Sequence, residues 1–374
     1  MSRERTPSGS GTAEDDGGRT RGPDSVPDRG VRTTVPERHR TLICVMTTIE
    51  GLGEFALITR VTSQFPRTAD VILGPGDDAA VVASPDGRTV ASTDLLVEGR
   101  HFKREWSTAR DVGHRAVAQN YADIMAMGAR PTGMLIGFAA PPDLPVVWAE
   151  EFTAGARDEC ALAGGAVVGG DMVGSDVLTI AVTALGDLEG RSPVRRDGAG
   201  PGEIVAYTGH LGLSAAGLAL LDQGLEGPGE CLDEHRRPSP PYTAGPEAAR
   251  LGATAMLDVS DGLLQDLGHI AASSGVAIDL ESEAFSPEPA LLEAVRVLGA
   301  PEGKALDAAR RLMLSGGEDH ALAAVFPSEV ELPDHWRRVG ATRSLPEGAR
   351  SGDVRVTVDG TVMDGGGWDH FRRG

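Results

Sequence analysis

Short acidic motifs are the parts of this sequence best suited to chemistry. Aspartates follow apolar, strand-like runs at five places, each beside glycine or hydroxyl residues: residues 74–79, 92–94, 169–171, 257–262 and 315–320. Aspartate oxygens are the hard ligands that Mg²⁺ prefers. The carboxyl ends of strands are also where α/β proteins bind their ligands. The pattern therefore indicates a site at which several carboxylates bind magnesium.

The sequence lacks the common glycine-rich, lysine-containing motif for binding phosphate, which limits how it could bind a nucleotide. The sequence has no GxxxxGK[ST] pattern, and its only lysines are Lys103 and Lys304. Residues 74–79 formally match the dinucleotide pattern GxGxxG/A. We reject that interpretation because a strand rather than a helix is expected to follow, and because Asp77 and Asp78 would repel phosphate without cations between them. If the protein handles a nucleotide, Mg²⁺ held by aspartates must neutralise the phosphates, with arginine assisting. That chemistry is phosphoryl transfer by positioning and charge neutralisation.

The composition excludes several other classes of protein. The chain has 374 residues, 40% of them hydrophobic, and 35 Lys and Arg against 55 Asp and Glu give a formal charge of −20. This acidity argues against nucleic acid or an anionic membrane as a partner. The three cysteines are too scattered for a disulfide framework or a zinc motif. With no signal-peptide pattern and no apolar run long enough to span a bilayer, we expect a cytoplasmic protein.

Alternating strand-like and helix-like segments must position these motifs. Strands are expected at 71–73, 79–83, 89–92, 133–138, 166–169, 177–185, 204–208 and 255–259, and helices at 108–127, 146–162, 213–222 and 261–273. Either Ser107 or Thr108 would cap the first of these helices. Residues 224–241 are rich in glycine, proline and charge, which is typical of a loop. The alternation predicts an α/β or α+β chain in two halves.

The domain boundaries follow from composition. Residues 1–45 contain too few apolar residues to form a core, so we expect a disordered tail there. We expect an N-terminal domain over residues 46–188 and a C-terminal domain over residues 189–374.

Taken together, the motifs resemble those of the thiamine-monophosphate kinase family. The matching stretches are, in order, GPGDDAAVV, STDLLVEGRHF, NYADIMAMGARP, VVGGD, DVSDGLLQDLGHIA, SGGEDHAL and GGWDHF. The resemblance implies the two-domain fold of the aminoimidazole ribonucleotide synthetase-like superfamily. In that fold an N-terminal domain forms a homodimer through its sheet, and a C-terminal α/β domain follows. It also implies direct transfer of a phosphoryl group from ATP to thiamine monophosphate, with several Mg²⁺ ions as cofactors and no protein nucleophile.

The same resemblance implies roles for individual residues. The metal ligands would be Asp78, Ser92, Thr93, Asp94, Asp123, Asp171, Asp258 and Asp261. ATP would contact Gly170, Asp171, Arg196 and Ser260. The substrate would contact His101, Glu318 and Trp368, since an indole ring can stack on the cationic aromatic ring of thiamine.

Some positions depart from the family pattern, and other functions stay open. Tyr121 and Ala122 stand where Asn-Leu-Ser or Asn-Leu-Ala is common, and His320 stands where tyrosine is common. The family's ATP-lining aromatic residue falls on Phe152 or Thr153. The main alternative is another ATP-dependent enzyme of the superfamily, such as aminoimidazole ribonucleotide synthetase, against which the GGWDHF motif argues. A non-enzymatic metal-binding module is the other alternative.

Overall fold

A computed structural model describes residues 47–65, 68–75, 79–345 and 356–363 of the chain. All of them belong to one compact unit that begins at Met46. The predicted tail, residues 1–45, lies outside the described residues. None of the described helices is both long and apolar enough to cross a membrane.

The N-terminal half is built on a four-stranded sheet. Its elements are α1 (Ile49–Leu52), α2 (Glu54–Thr62), β1 (Val71–Leu73), β2 (Val81–Val82), β3 (Val90–Val97), α3 (Ala109–Ala126), β4 (Arg130–Ala140), α4 (Val146–Ala163), β5 (Ala166–Gly174) and β6 (Thr179–Asp187). The strand order is β3-β6-β4-β5, and only β4 and β5 are parallel. Side chains of α3 and α4 form a buried core with the inner face of this sheet.

Helix α3 begins where the sequence predicts. Thr108 accepts a hydrogen bond from the backbone of Asp111, whose side chain accepts one from the backbone of Thr108, and together they form a capping box. Gly128 follows the helix with φ of 74°, a conformation that glycine adopts at little cost. Fourteen of the helix's residues are buried, including Asn120 at 0% exposure, so α3 runs through the interior and can present polar groups there.

The C-terminal half contains a larger sheet. Its elements are β7 (Ile204–Thr208), α5 (Leu213–Gln223), α6 (Gly229–Arg236), α7 (Ala244–Arg250), β8 (Ala255–Val259), α8 (Leu263–Ser274), β9 (Val276–Leu280), a 3-10 turn (Ser282–Ala284), α9 (Pro289–Val297), α10 (Ala305–Ser315), β10 (Ala321–Phe326), β11 (Arg337–Ser344), β12 (Val356–Val358) and β13 (Thr361–Val362). The strand order is β13-β12-β9-β11-β7-β10-β8, so β8 lies at one edge. The prediction of a mixed α/β chain with two sheet-containing halves is confirmed.

The predicted loop over residues 224–241 is wrong, because it contains helix α6. The buried face of α6 consists of Cys231, Glu234 and His235, two of which are polar, so no apolar periodicity marks the helix. Close packing holds it instead. A Cβ at Gly217 of α5 would lie 2.0 Å from the carbonyl oxygen of Cys231, so only glycine allows the two helices this approach.

Several strands are longer than predicted, and this changes where the acidic residues lie. The sequence places Asp94 and Asp171 at strand ends, but β3 continues to Val97 and β5 continues to Gly174. Both aspartates therefore lie within strands, where successive side chains point to opposite faces of the sheet.

Candidate active site

Three carboxylates from distant parts of the chain lie close together between the two halves. Asp94 comes from β3, Asp123 from α3 and Asp258 from the edge strand β8. Asp123 and Asp258 line one cavity of about 180 Å³, together with Ser92 and Arg196. Asp258 is only 6% exposed. Carboxylates this close to one another and largely removed from water need a cation or protons to offset their charge.

Both burial and the neighbouring carboxylates act on the pKa of Asp123. Burial, followed by the charge of Asp258, raises the pKa of Asp123 to about 7, and Asp94 adds to the rise. One hydrogen bond opposes it, because the Ser92 hydroxyl donates to Oδ2 of Asp123 over 2.6 Å. Burial and the Asp258 charge also raise the pKa of Asp94. The site is therefore arranged to favour a cation among these oxygens.

Two amide side chains on α3 hold Asp94 in place. The Asn120 side-chain oxygen accepts a hydrogen bond from the Asp94 backbone over 3.0 Å, and its Nδ2 donates to the Ala116 carbonyl over 2.8 Å. The Gln119 side chain also acts on the Asp94 carboxylate and opposes the rise in its pKa. Sequence reasoning did not assign a role to either residue. Their polarity on an otherwise apolar helix is the signal that could have identified them.

The Asp258 side chain contacts a histidine of the last acidic motif, residues 315–320. Nδ1 of His320 lies 3.2 Å from Oδ2 of Asp258, and both side chains are buried. Burial is the largest single effect and lowers the pKa of His320, but the hydrogen bond to Asp258 and the negative charges of Asp258 and Glu318 together outweigh it, so the pKa is raised. The backbone brings the motifs together, since Glu318 donates to the Ser260 carbonyl over 2.7 Å and His320 to the Val259 carbonyl over 2.8 Å.

Asp266 holds the turn after β8 through hydrogen bonds to its backbone. Oδ2 of this buried carboxylate accepts hydrogen bonds from the backbone N–H groups of Ser260, Asp261 and Gly262, at 3.0 to 3.1 Å. Gly262 has φ of 118° and packs against the Ser315 backbone, so a side chain is excluded there. Asp266 is a second residue that sequence reasoning missed. It orients the backbone of Ser260 and Asp261, two residues that the resemblance assigns to the site.

Glu318 and His101, both predicted to bind substrate, also lie near the centre. Arg115 on α3 forms a partly buried ion pair with Glu318. Burial alone would raise the pKa of Glu318, but the positive charges of Arg115 and His320 lower it to about 2. His101 lies in the loop after β3, where its Nδ1 accepts a 3.0 Å hydrogen bond from the Val97 backbone. The charge of His101 also acts on Glu318, which indicates that the two are near each other.

An apolar cavity adjoins the GGD motif. It has a volume of about 90 Å³ and is lined by Gly169, Gly170, Asp171 and apolar side chains of α2, β4, β5 and α4, with Phe152 and Thr153 both in its wall. A Cβ at Gly170 would lie 2.0 Å from the Ile136 carbonyl oxygen, so this position accepts only glycine without a shift of the backbone.

Two predicted metal ligands, Asp171 and Thr93, lie on the face of the four-stranded sheet that is opposite to Asp94. The strand pairing can be followed across the sheet from Asp171. Asp171 on β5 pairs with Gly137 on β4, which in turn pairs with Ala181 on β6. Ala181 pairs with Leu95 on β3. Paired residues point to the same face, and Leu95 neighbours Asp94 in β3, so Asp171 faces away from Asp94. Thr93 also has this orientation, and its hydroxyl donates to the Val182 carbonyl over 2.7 Å. The described chain therefore does not bring the side chains of Asp171 and Thr93 to the carboxylate cluster.

The remaining predicted site residues lie at the rim or beyond the described residues. Arg196 is exposed and lines the cavity that contains Asp123. Oδ2 of Asp261 accepts a 3.2 Å hydrogen bond from Gln265. Asp78 and Trp368 fall outside the described residues. Within the described ranges, no three His, Cys, Asp or Glu side chains already form a coordination shell. The carboxylates are thus neighbours that an ion would have to draw together.

Comparison with known proteins places this arrangement in a family. The chain matches the AIR synthase related protein N-terminal domain over residues 76–188 and the corresponding C-terminal domain over residues 200–325. It is 47% identical over 326 residues to the thiamine-monophosphate kinase of Mycobacterium tuberculosis H37Rv, which covers 87% of this chain and 93% of the relative.

Solved structures agree with the sequence comparison. The thiamine-monophosphate kinase from Stenotrophomonas maltophilia K279a is similar with a TM-score of 0.70 and 32% identity, over 83% of this chain and 98% of that one. AaThiL complexed with AMPPCP and TMP is similar with a TM-score of 0.66 and 29% identity, over 86% of this chain and 97% of that one. The chain belongs to the thiamine-monophosphate kinase family of the AIR synthase related proteins.

Proposed function

We propose that this protein transfers the γ-phosphoryl group of ATP to thiamine monophosphate, giving ADP and thiamine diphosphate. The observation that carries the proposal is the cluster of Asp94, Asp123 and Asp258 in a chain 47% identical to a thiamine-monophosphate kinase. A terminal phosphate oxygen of the substrate forms the new bond to the γ-phosphorus, and the bond from that phosphorus to the ADP oxygen breaks. The attacking oxygen is already anionic at neutral pH, so no strong general base is needed.

The donor atoms of the carboxylate cluster suit Mg²⁺. Hard oxygens predominate, and burial together with the charges of Asp258 and Asp94 raises the pKa of Asp123, so a cation at this position would be favourable. At this cluster the proposed ligands are Ser92, Asp94, Asp123, Asp258 and Asp261, together with Asp78, which lies outside the described residues. The resemblance also gives Thr93 and Asp171 as ligands, but their side chains face the opposite side of the sheet, so they are not proposed at this cluster. Mg²⁺ in nucleotide sites is usually bound by one or two carboxylates together with the substrate phosphates, which suits neighbouring carboxylates that have not formed a closed shell. When bound, Mg²⁺ neutralises the phosphate charges and stabilises the transferring group.

The residues around the cluster suit a nucleotide. Gly170 and Asp171 border a small apolar cavity against which the face of a flat base can pack. Exposed Arg196 lies at the edge of the carboxylate cavity, where its guanidinium can bind phosphate oxygens. Ser260 lies in the turn that Asp266 fixes. AaThiL has been solved with AMPPCP, an ATP analogue, which supports ATP as the co-substrate.

The proposed substrate contacts combine charge and stacking. Glu318 has a pKa of about 2, so it is ionised at neutral pH and can face the positive charge of thiamine. His101 lies close enough for its charge to affect Glu318. Trp368 is the proposed stacking residue. AaThiL with bound TMP supports thiamine monophosphate as the substrate class.

A second copy of the chain is the proposed partner. Leu95, Leu135 and Val173 lie on the outer face of the four-stranded sheet and are 56%, 39% and 61% exposed. A homodimer through this face would cover them and would place Asp171 and Thr93 in the interface. Residues 46–188 would form the dimerising domain and residues 189–374 the second domain. The proposed compartment is the cytoplasm, where ATP is available.

One assay tests the function. The purified full chain is incubated with Mg²⁺ and ATP, and either thiamine monophosphate or formylglycinamidine ribonucleotide is added. We expect ADP and thiamine diphosphate in equal amounts with the first substrate and neither turnover nor ADP above background with the second. No ADP with thiamine monophosphate would refute the proposal. ADP formed only with the ribonucleotide would identify the protein as an aminoimidazole ribonucleotide synthetase instead.

A further inference from the structure

Arg115 carries a buried charge beside the proposed substrate site. Its side chain is only 3% exposed, although it carries a permanent positive charge. Nη1 donates to the carbonyl oxygen of His235 over 2.6 Å, and Nη2 donates to Oε2 of Glu318. Nε is buried without a hydrogen-bond partner among the described residues. Such a group is costly to keep buried, so packing alone does not account for it.

The contacts of Arg115 join three separate parts of the chain. Arg115 and Asp123 lie on the same helix, eight residues apart, which corresponds to about 12 Å along its axis. The His235 carbonyl lies in the last turn of α6, where a positive charge is favourable. Glu318 is 203 residues from Arg115 in sequence and lies in the turn that precedes β10. Arg115 therefore fixes Glu318 relative to the helix that carries the carboxylate of Asp123.

Glu318 needs such support because its own backbone is unfavourable. It has φ of 65°, and His320 has φ of 51°, although neither is glycine. The Glu318 side chain is still 29% exposed, so the carboxylate can contact a ligand while Oε2 is held. The planar guanidinium can bind the carbonyl and the carboxylate at once with fixed geometry, which a lysine ammonium cannot reproduce.

We propose that Arg115 is a positioning residue that orients the Glu318 carboxylate towards the thiamine monophosphate. This inference rests on the proposed function, because it assigns Glu318 to the substrate. Arg115 acts through Glu318, since the hydrogen bonds of its side chain go to Glu318 and to the His235 carbonyl. Loss of Arg115 should therefore weaken binding of thiamine monophosphate selectively. Loss of a residue that is needed only for folding would change the KM of both substrates or of neither.

The test compares Arg115→Lys, Arg115→Met and Glu318→Gln with the wild-type chain. The matched control is Arg110→Lys, since Arg110 lies on the same helix and also pairs with a carboxylate, that of Asp158, but has a side chain that is 45% exposed. We expect Arg115→Met to raise the KM for thiamine monophosphate at least tenfold with the KM for ATP changed less than twofold. Arg115→Lys should fall between Arg115→Met and wild type. Equal rises in both KM values, or an unchanged KM for thiamine monophosphate, would overturn the inference. If Arg115→Met does not fold, the same criterion applies to Arg115→Lys.

A second measurement needs no activity. The melting temperatures of Arg115→Met, Glu318→Gln and the double variant form a mutant cycle. We expect the double variant to lose clearly less than the sum of the two single losses, because each single change already breaks the pair. Additive losses would show that Arg115 does not hold Glu318. If the wild-type chain does not phosphorylate thiamine monophosphate, the proposed function fails, and this cycle still decides whether Arg115 positions Glu318.

Discussion

The Ser92 hydroxyl on β3 donates a 2.6 Å hydrogen bond to Oδ2 of Asp123 on α3. The two residues are 31 positions apart, and no cation within one helical turn of Asp123 could have taken this role. A neutral hydroxyl orients the carboxylate without cancelling its charge. The charge therefore stays available to a metal ion, at the cost of repulsion from Asp258 and Asp94.

Asp123→Asn should separate stability from activity. Asparagine keeps an oxygen that can accept the Ser92 hydrogen bond, but it removes the repelled charge. We expect a melting temperature at least equal to wild type without Mg²⁺, and turnover lower by roughly 100-fold or more. Thermal unfolding and steady-state rates at saturating substrates measure the two effects. Asp143→Asn, at an exposed position, should leave both unchanged. Near-normal turnover in Asp123→Asn would contradict the metal role.

Asp266→Ala should loosen the turn that carries Ser260 and Asp261. Three backbone N–H groups lose their shared acceptor, and an unsatisfied buried donor costs about 1–3 kcal/mol. We expect a loss of at least about 2 kcal/mol in the free energy of unfolding, measured by urea denaturation. The KM for ATP should rise as well, because Ser260 lies in that turn. Asp307→Ala, on the exposed surface of α10, is the control. Equal stabilities of the two variants would show that Asp266 is dispensable.

Local signals allowed much of the fold to be predicted from the sequence. Thr108 and Gly128 mark the two ends of α3 by capping chemistry that depends only on neighbouring residues. Helix α6 escaped prediction because its buried face includes Glu234 and His235, whose burial depends on packing against other elements. The same limit applies to the site. The acidic motifs are visible in the sequence, whereas the role of Arg115 depends on a partner 203 residues away.

The extent of the strands and their pairing register also determine which side chains share a face of the sheet. Asp94 and Asp171 look equivalent in sequence, since each follows an apolar run. In the folded chain they lie within strands, and the pairing of Asp171 through Gly137 and Ala181 to Leu95 places them on opposite faces. The register of a sheet depends on pairing between distant strands, and a shift of one residue reverses the face.

Gly170→Ala and Gly174→Ala form a matched pair on strand β5. A Cβ at Gly170 would lie 2.0 Å from the Ile136 carbonyl oxygen, whereas a Cβ at Gly174 would meet nothing within 4 Å. Gly170→Ala must displace β5 from β4, and we expect a loss of about 1–3 kcal/mol in the free energy of unfolding and weaker ATP binding. Gly174→Ala should stay within about 0.5 kcal/mol of wild type. Urea denaturation and calorimetric titration with ATP measure both, and indistinguishable variants would contradict the steric argument.

Asp319 should make stability depend on pH. Burial raises the pKa of Asp319 to about 8, even though its carboxylate accepts hydrogen bonds from the backbone N–H groups of Gly212 and Ser214. Between the ordinary aspartate value of 3.8 and about 8, the folded chain holds a proton that the unfolded chain has lost. The free energy of unfolding should therefore fall as pH rises through this range, by up to about 1.4 kcal/mol per pH unit.

Asp319→Asn removes this titration, because asparagine resembles the protonated acid. Urea denaturation of wild type and variant at pH 5, 6, 7 and 8 measures the difference. We expect the stability of the variant relative to wild type to increase steadily with pH and to level off above about 8, where the folded wild-type group has lost its proton. Asp143→Asn should follow the wild-type profile at every pH, since that residue is exposed. Parallel curves for wild type and Asp319→Asn would mean that burial does not hold a proton on Asp319, and that the two backbone N–H groups keep its carboxylate ionised.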